Sequence, residues 1–152
     1  MDSTNRFHTK ETWLWVRAEH LALIGVLLTL LFLHREEVRW LPFVSAFVSL
    51  DLIGYIPGAI AYRGKADGPI APIYHHLYNL THSYLTAGVV VAAWALCIGG
   101  FEWAMLALPI HLSGDRGLFG NTYKPVSLPF EPGGRAAKEI EANPVALSRG
   151  AP

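Results

Sequence analysis

The chain has 152 residues, enough for one domain, and 52% of them are hydrophobic with a positive mean hydropathy, which is high for a soluble domain of that size. Twelve basic and twelve acidic side chains cancel, so there is no electrostatic footprint for nucleic acid. The single cysteine, Cys97, excludes an internal disulfide and any CxxC redox or zinc-knuckle chemistry.

The apolar residues are gathered into runs. Leu21 to Leu33 carries no charge, Trp40 to Tyr62 carries Asp51 alone, and Leu77 to Gly100 carries none. Runs of about 20 residues match the hydrocarbon layer that a helix must cross. Residues 1–12 form a polar N-terminal segment without the apolar core of a cleavable signal peptide, so insertion is expected to rely on the first helix. Helix one is predicted from Thr12 to Leu33, helix two from Trp40 to Tyr62 and helix three, as one span, from Pro72 to Ile98. Helix four is predicted from Phe101 to Leu112; it is short, carries Pro109 and is the least regular of the four. Trp13, Trp15, Trp40, Tyr62, Tyr74 and Trp103 fall near helix ends, where aromatic rings favour the interface.

The expected fold is therefore all-α, an integral membrane bundle of about four transmembrane helices in residues 13–119, with a Pro-rich tail at 120–152 ordered as far as about Phe130. Arg6, Lys10, Arg17, Arg63, Lys65, Arg116, Lys124, Arg135, Lys138 and Arg149 fall on one side, and Arg35 and Arg39 on the other. The excess of positive charge predicts a multi-pass protein of the inner (plasma) membrane with both termini cytoplasmic.

Ionisable groups inside a span cost several kcal/mol unless paired or turned to a polar cavity, so each is a functional candidate. On this topology Glu19, Asp51, His82, and His111 with Asp115 reach the same cytoplasmic half of the bilayer from four different helices. His111 and Asp115 stand at i and i+4, a spacing by which a helix presents two metal ligands. Asp51 and Tyr55 repeat that spacing, and His75, Tyr78, Asn79 and His82 form a polar stripe. The GYIPG sequence at Gly54 to Gly58 predicts a helix break between Asp51 and the cytoplasm. Two imidazoles with two or three carboxylates suit zinc, manganese or iron better than calcium. Asn79, Thr81, Ser83, Tyr55 and Arg116 are candidates to support the ligands. The structural alternatives are ion pairs of Glu19 with Arg17 or Arg116 and of Asp115 with Arg116, interfacial placement of His75 and His76, and a purely structural network of Asp51, His82 and His111.

The ordered motifs VRAEHLAL, SLDLIGYIPG, YNLTHSY and HLSGDRGLFGNTYKP resemble the domain of unknown function 4260 family of small bacterial membrane proteins, over about residues 14 to 124. More loosely, Asp51, Thr81-His82-Ser83 and His111 with Asp115 are similar to elements of the membrane-bound metal-dependent hydrolases. The chain departs from that second pattern at Leu77 and Tyr78, where a His-Arg pair is expected, and in lacking an early histidine ligand. It departs from the first after Lys124, where SLPFEP replaces a further histidine.

The leading expectation is an intramembrane metal-dependent hydrolase of a lipid-like or isoprenoid-like substrate entering from the cytoplasmic leaflet. His82, His111, Asp115 and Asp51 would hold the ion, Glu19 and Asp51 would act as acid or base, and Arg116 would bind an anionic head group or developing oxyanion. Tyr55 and Asn79 would line the cofactor site. One alternative is a metal-free isomerase or cyclase using Glu19 and Asp51, and another is a pigment- or haem-binding accessory subunit of a larger membrane complex. The expected partners are the lipid bilayer, an apolar or lipid-like small molecule and further subunits, in a homo-oligomer or a larger membrane complex; no nucleic acid is expected.

Overall fold

The structure, a computed structural model, describes residues 10–65 and 69–131. The polar segment before residue 10 and the tail beyond residue 131 lie outside the described residues. Among those described, every regular element is helical. Helix α1 is Lys10–Leu33 and α2 is Trp40–Gly64. These two are long and apolar enough to cross a membrane. Helices α3 (Pro72–Thr81) and α4 (Tyr84–Ile98) make a third candidate if the bent pair counts as one span. Helix α5 occupies residues 103–119 as a 3-10 turn (Trp103–Leu106), an α-helix (Ala107–Gly114) and a π turn (Asp115–Phe119).

The core lies along α5, the element that looked most marginal in sequence. Ala104, Met105, Ala107, Leu112 and Ser113 are almost completely shielded from solvent. Alanine, serine and glycine at 104, 107, 113 and 114 keep this helix thin, so α1 and α2 approach it closely. Leu27 of α1, Phe43 of α2 and Ala104, Leu106, Ala107 and Ile110 of α5 form one cluster, with Val38 from the connection. Leu50, Ala87, Leu108 and Leu112 form a second, which brings in α4. The outer faces carry the opposite pattern: Leu14, Trp15, Val26, Phe32, Leu85 and Leu96 are exposed, an apolar surface of the kind that marks contact with lipid or a partner.

Both ends of α5 are tied down. At its start Arg39 makes a forked ion pair with Glu102 at 2.5 and 2.7 Å, Trp103 Nε1 donates to Glu37 at 3.1 Å, and His34 stacks on Trp103 with centroids 3.7 Å apart. Hydrogen bonds from His34 and Trp103 hold the Glu37 carboxyl below the usual glutamate range. At the other end Arg17 donates to the carbonyls of Gly117 and Leu118, at 3.1 Å each, and satisfies acceptors left free at the helix terminus. Gly117 permits this approach: a Cβ there would lie 3.0 Å from the backbone nitrogen of Leu21.

Two expectations about helix continuity are corrected. The GYIPG sequence does not break α2. A π turn over Asp51–Tyr55, closed by the Ile56 N–H on the Asp51 carbonyl, carries the chain through Pro57, which has no N–H to give. Helix three, expected to be continuous, is bent by 56° at His82 and Ser83. Thr81 Oγ1 bonds back to the Leu77 and Tyr78 carbonyls at 3.0 and 3.1 Å, competing with helix propagation, and Ser83 Oγ caps α4 by accepting from the Leu85 N–H at 3.2 Å.

Residues 121–131 cross the end of the bundle as a strap. Asn79 holds it by two hydrogen bonds, Nδ2 to the Lys124 carbonyl at 3.0 Å and Oδ1 from the Lys124 N–H at 2.7 Å. Phe130 fills a notch left by Gly58 and packs with Ala59, Tyr62 and Tyr78. Truncating Phe130 to Ala empties that notch and should cost about 3–5 kcal/mol. Denaturation in detergent micelles checks this, and a loss under about 1 kcal/mol would show that the strap does not hold the bundle.

Candidate metal centre

Four side chains from three helical segments meet beneath the strap. Asp51 starts the π turn of α2, His82 sits at the break between α3 and α4, and His111 and Asp115 lie one turn apart on α5, Asp115 opening the second π turn. His82 Nε2 is 3.4 Å from Asp51 Oδ1 and 3.4 Å from Asp115 Oδ2. His111 Nε2 is 3.7 and 3.6 Å from the same two oxygens. Each imidazole nitrogen thus faces both carboxylates. Ligand atoms of Asp51, His82 and His111 all fall within 4.8 Å of one another.

These separations are long for hydrogen bonds, and both buried Nε2 atoms lack a hydrogen-bond partner of good geometry. They do match the spacing of ligands around a shared ion: with zinc about 2.0–2.2 Å from each donor, neighbouring tetrahedral donors lie about 3.3–3.6 Å apart. Asp51, His82 and His111 can therefore hold a metal ion, with Asp115 beside them.

The surroundings fix the ligands. His82 Nδ1 lies 3.1 Å from the Tyr78 carbonyl and 2.9 Å from Thr81 Oγ1. Because the Thr81 hydroxyl donates to backbone carbonyls, the network assigns the His82 proton to Nδ1 and leaves the Nε2 lone pair aimed at the cluster. Tyr78 stacks on the His82 ring at 4.0 Å, and Phe47 meets the His111 ring edge-on at 4.7 Å. Gly54 is required here, since a Cβ on it would overlap Thr81 Oγ1 and crowd His82 Nδ1. His82 and His111 are almost fully buried, whereas the Asp51 side chain is 43% exposed and is the accessible edge of the group.

The other expected site residues lie elsewhere. Glu19 is on the exposed face of α1 and is not brought to the cluster. Arg17, its expected ion-pair partner, is engaged with the end of α5. Asn79 clamps the strap. Tyr55 turns to Phe130, with ring centroids 6.1 Å apart, because a turn closed between i and i+5 no longer aligns i with i+4. Arg116 donates to the His82 carbonyl at 3.2 Å and packs on Tyr84 and Tyr123, so its guanidinium supports the ligand backbone. His75 is buried against the strap, its Nε2 3.2 Å from the Leu128 carbonyl.

Sequence reading missed two features. Tyr84 OH lies 2.8 Å from Ser113 Oγ and 3.4 Å from His20 Nδ1, a polar chain that joins α4, α5 and α1. Lys124 sits within 5.5 Å of the Tyr55, Tyr78 and Phe130 ring centroids and donates to the Phe130 carbonyl. Burial lowers its pKa below the ordinary lysine value. A lysine and a lone phenylalanine in a Pro-rich segment were the available signal.

Comparison of the chain with protein-family models, with curated proteins and with solved structures finds no match.

If the group holds zinc, changing His82 or His111 to Ala should abolish stoichiometric binding while helix content is retained, because each change would remove one direct ligand whereas packing along α5 holds the bundle. Asn79→Ala should weaken binding far less. Equilibrium dialysis with circular dichroism checks both, and full zinc occupancy in either histidine variant would contradict the ligand assignment.

Proposed function

We propose that this chain crosses the inner membrane four times with both termini cytoplasmic and is an intramembrane metal-dependent hydrolase of a lipid-like or isoprenoid-like substrate. The observation that carries the reading is the pair of unpartnered, buried imidazole nitrogens, each flanked by the same two carboxylate oxygens at 3.4–3.7 Å. Unpartnered imidazole nitrogens and negative charge gathered at one place favour a bound cation, and this donor set suits zinc, with manganese and iron as alternatives.

His82, His111, Asp51 and Asp115 would hold the ion. A bound divalent ion supplies Lewis-acid activation of water and of a carbonyl or phosphoryl oxygen. The protein's share is placement: Asp51, the accessible ligand, faces the approach of substrate and can accept a proton there, while buried His82 and His111 keep the far side dry. The class of reaction rests on the resemblance carried by Asp51, Thr81-His82-Ser83 and His111 with Asp115. The exposed apolar faces of α1, α2 and α4 favour a substrate that arrives through the bilayer. Glu19, apart from Asp51, gives no support to a metal-free acid–base pair.

The test is turnover by protein purified without a polyhistidine tag, offered a long-chain acyl ester and an isoprenyl diphosphate in mixed micelles. Hydrolysis of one of them, lost on chelation and restored by zinc, is expected. Turnover that survives complete removal of the ion would overturn the reading, as would none with either substrate in a fully metallated protein. For the topology, a reporter active only in the periplasm should be silent when fused to the C-terminus and active when inserted between His34 and Arg39.

A further inference from the structure

Three ligand-bearing segments must be held in register for the cluster to exist, and one of them is a helix break. His82 has φ −92° and ψ 24°, outside the helix it ends, and the residue after it adopts an extended conformation. Its side chain is fixed to α3 by the Tyr78 carbonyl and the Thr81 hydroxyl. Those contacts say nothing about its distance from α5, where His111 and Asp115 reside.

We propose that Arg116 is the positioning residue of this centre, the side chain that ties the Asp115 turn to the backbone of His82; the inference rests on the metal reading above. Arg116 follows Asp115 directly in the π turn. Its Nη2 donates at 3.2 Å to the His82 carbonyl, an acceptor left free by the break. The guanidinium is held over the Tyr84 ring at 4.5 Å and lies 5.3 Å from the Tyr123 ring, so it is braced by the first residue of α4 and by the strap. A single planar group therefore joins the α5 ligands to the α3–α4 ligand. It spans a gap that neither helix ladder crosses. Lysine keeps the charge but not the flat, multi-donor group that can stack and donate at once.

The test uses cobalt(II) as the probe on the full chain in detergent, with affinity from titration and geometry from the visible d–d bands. Arg116→Gln should bind cobalt on the order of 10–100-fold more weakly, the range for loss of a group that orients a ligand. At saturation its bands should be shifted from those of the unaltered chain, with helix content by circular dichroism unchanged. Arg116→Lys should fall between the two. Wild-type affinity and wild-type bands in Arg116→Gln would overturn the positioning role and leave the metal reading standing. If Arg116→Gln loses its helices, Arg116→Lys decides: shifted bands in a fully helical protein support the role, and unchanged bands overturn it. Absence of cobalt bands in the unaltered chain would remove the metal reading, and this inference with it.

Discussion

Two carboxylate oxygens and two imidazole nitrogens converge in a mostly apolar interior, and that convergence is unfavourable without a positive charge among them. The Asp51 and Asp115 oxygens each lie 3.4–3.7 Å from both Nε2 atoms, neither of which has a hydrogen-bond partner, and the ligand atoms of Asp51, His82 and His111 are close enough together to share one ion. A cluster of hydrogen-bonded groups would show shorter contacts and no orphaned nitrogens. The local irregularities of the fold gather at this meeting point. Both π turns begin at a carboxylate of the cluster, the helix break falls at one histidine, and the glycine whose Cβ would collide stands against that same histidine. Wide turns and breaks sacrifice regular hydrogen bonding, and they concentrate where side chains must be re-aimed.

The helix that carries His111 and Asp115 is also the best-buried of the described elements. Placing His111 and Asp115 on α5 puts them on the most constrained backbone in the molecule, packed by α1, α2 and α4 and anchored at both ends by arginines. Asp51 and His82 are then brought to it by elements with fewer packing neighbours, which is why a side chain such as Arg116 is needed across the gap. The strap adds a cover from the other side: Phe130 and Lys124 pack on Tyr78, and Tyr78 stacks on His82. His82 thus feels the strap through one aromatic ring, while the Asn121 N–H of the strap donates directly to the Asp115 carbonyl at 2.8 Å.

Much of the site was legible in the sequence because charge in an apolar run is expensive. Asp51, His82, His111 and Asp115 stood out as polar groups in apolar runs, and i, i+4 spacing on one continuous turn correctly joined His111 to Asp115. The same logic failed for Glu19, because it assumes that every such group turns inward, and helical phase places this one on the exposed face of α1. Tyr55 failed for a different reason. The i, i+4 rule presumes α geometry, and a π turn cannot be read from DLIGY. The central place of α5 was hidden by its brevity and Pro109: small residues lower its hydropathy while allowing closer packing than leucines would. The kink at His82 was written in Thr-His-Ser, whose side chains compete for backbone carbonyls, yet the apolar run through Leu77 to Gly100 outweighed that signal.

X-ray absorption at the zinc K-edge of the metal-loaded protein, prepared without a polyhistidine tag, tests the central claim most directly. The account predicts one ion per chain with four light-atom donors at about 2.0–2.2 Å and outer-shell scattering from two imidazole rings, and no retained zinc signal when His82 is replaced. An ion with an all-oxygen shell and no imidazole scattering, or a spectrum that His82→Ala leaves unchanged, would contradict it.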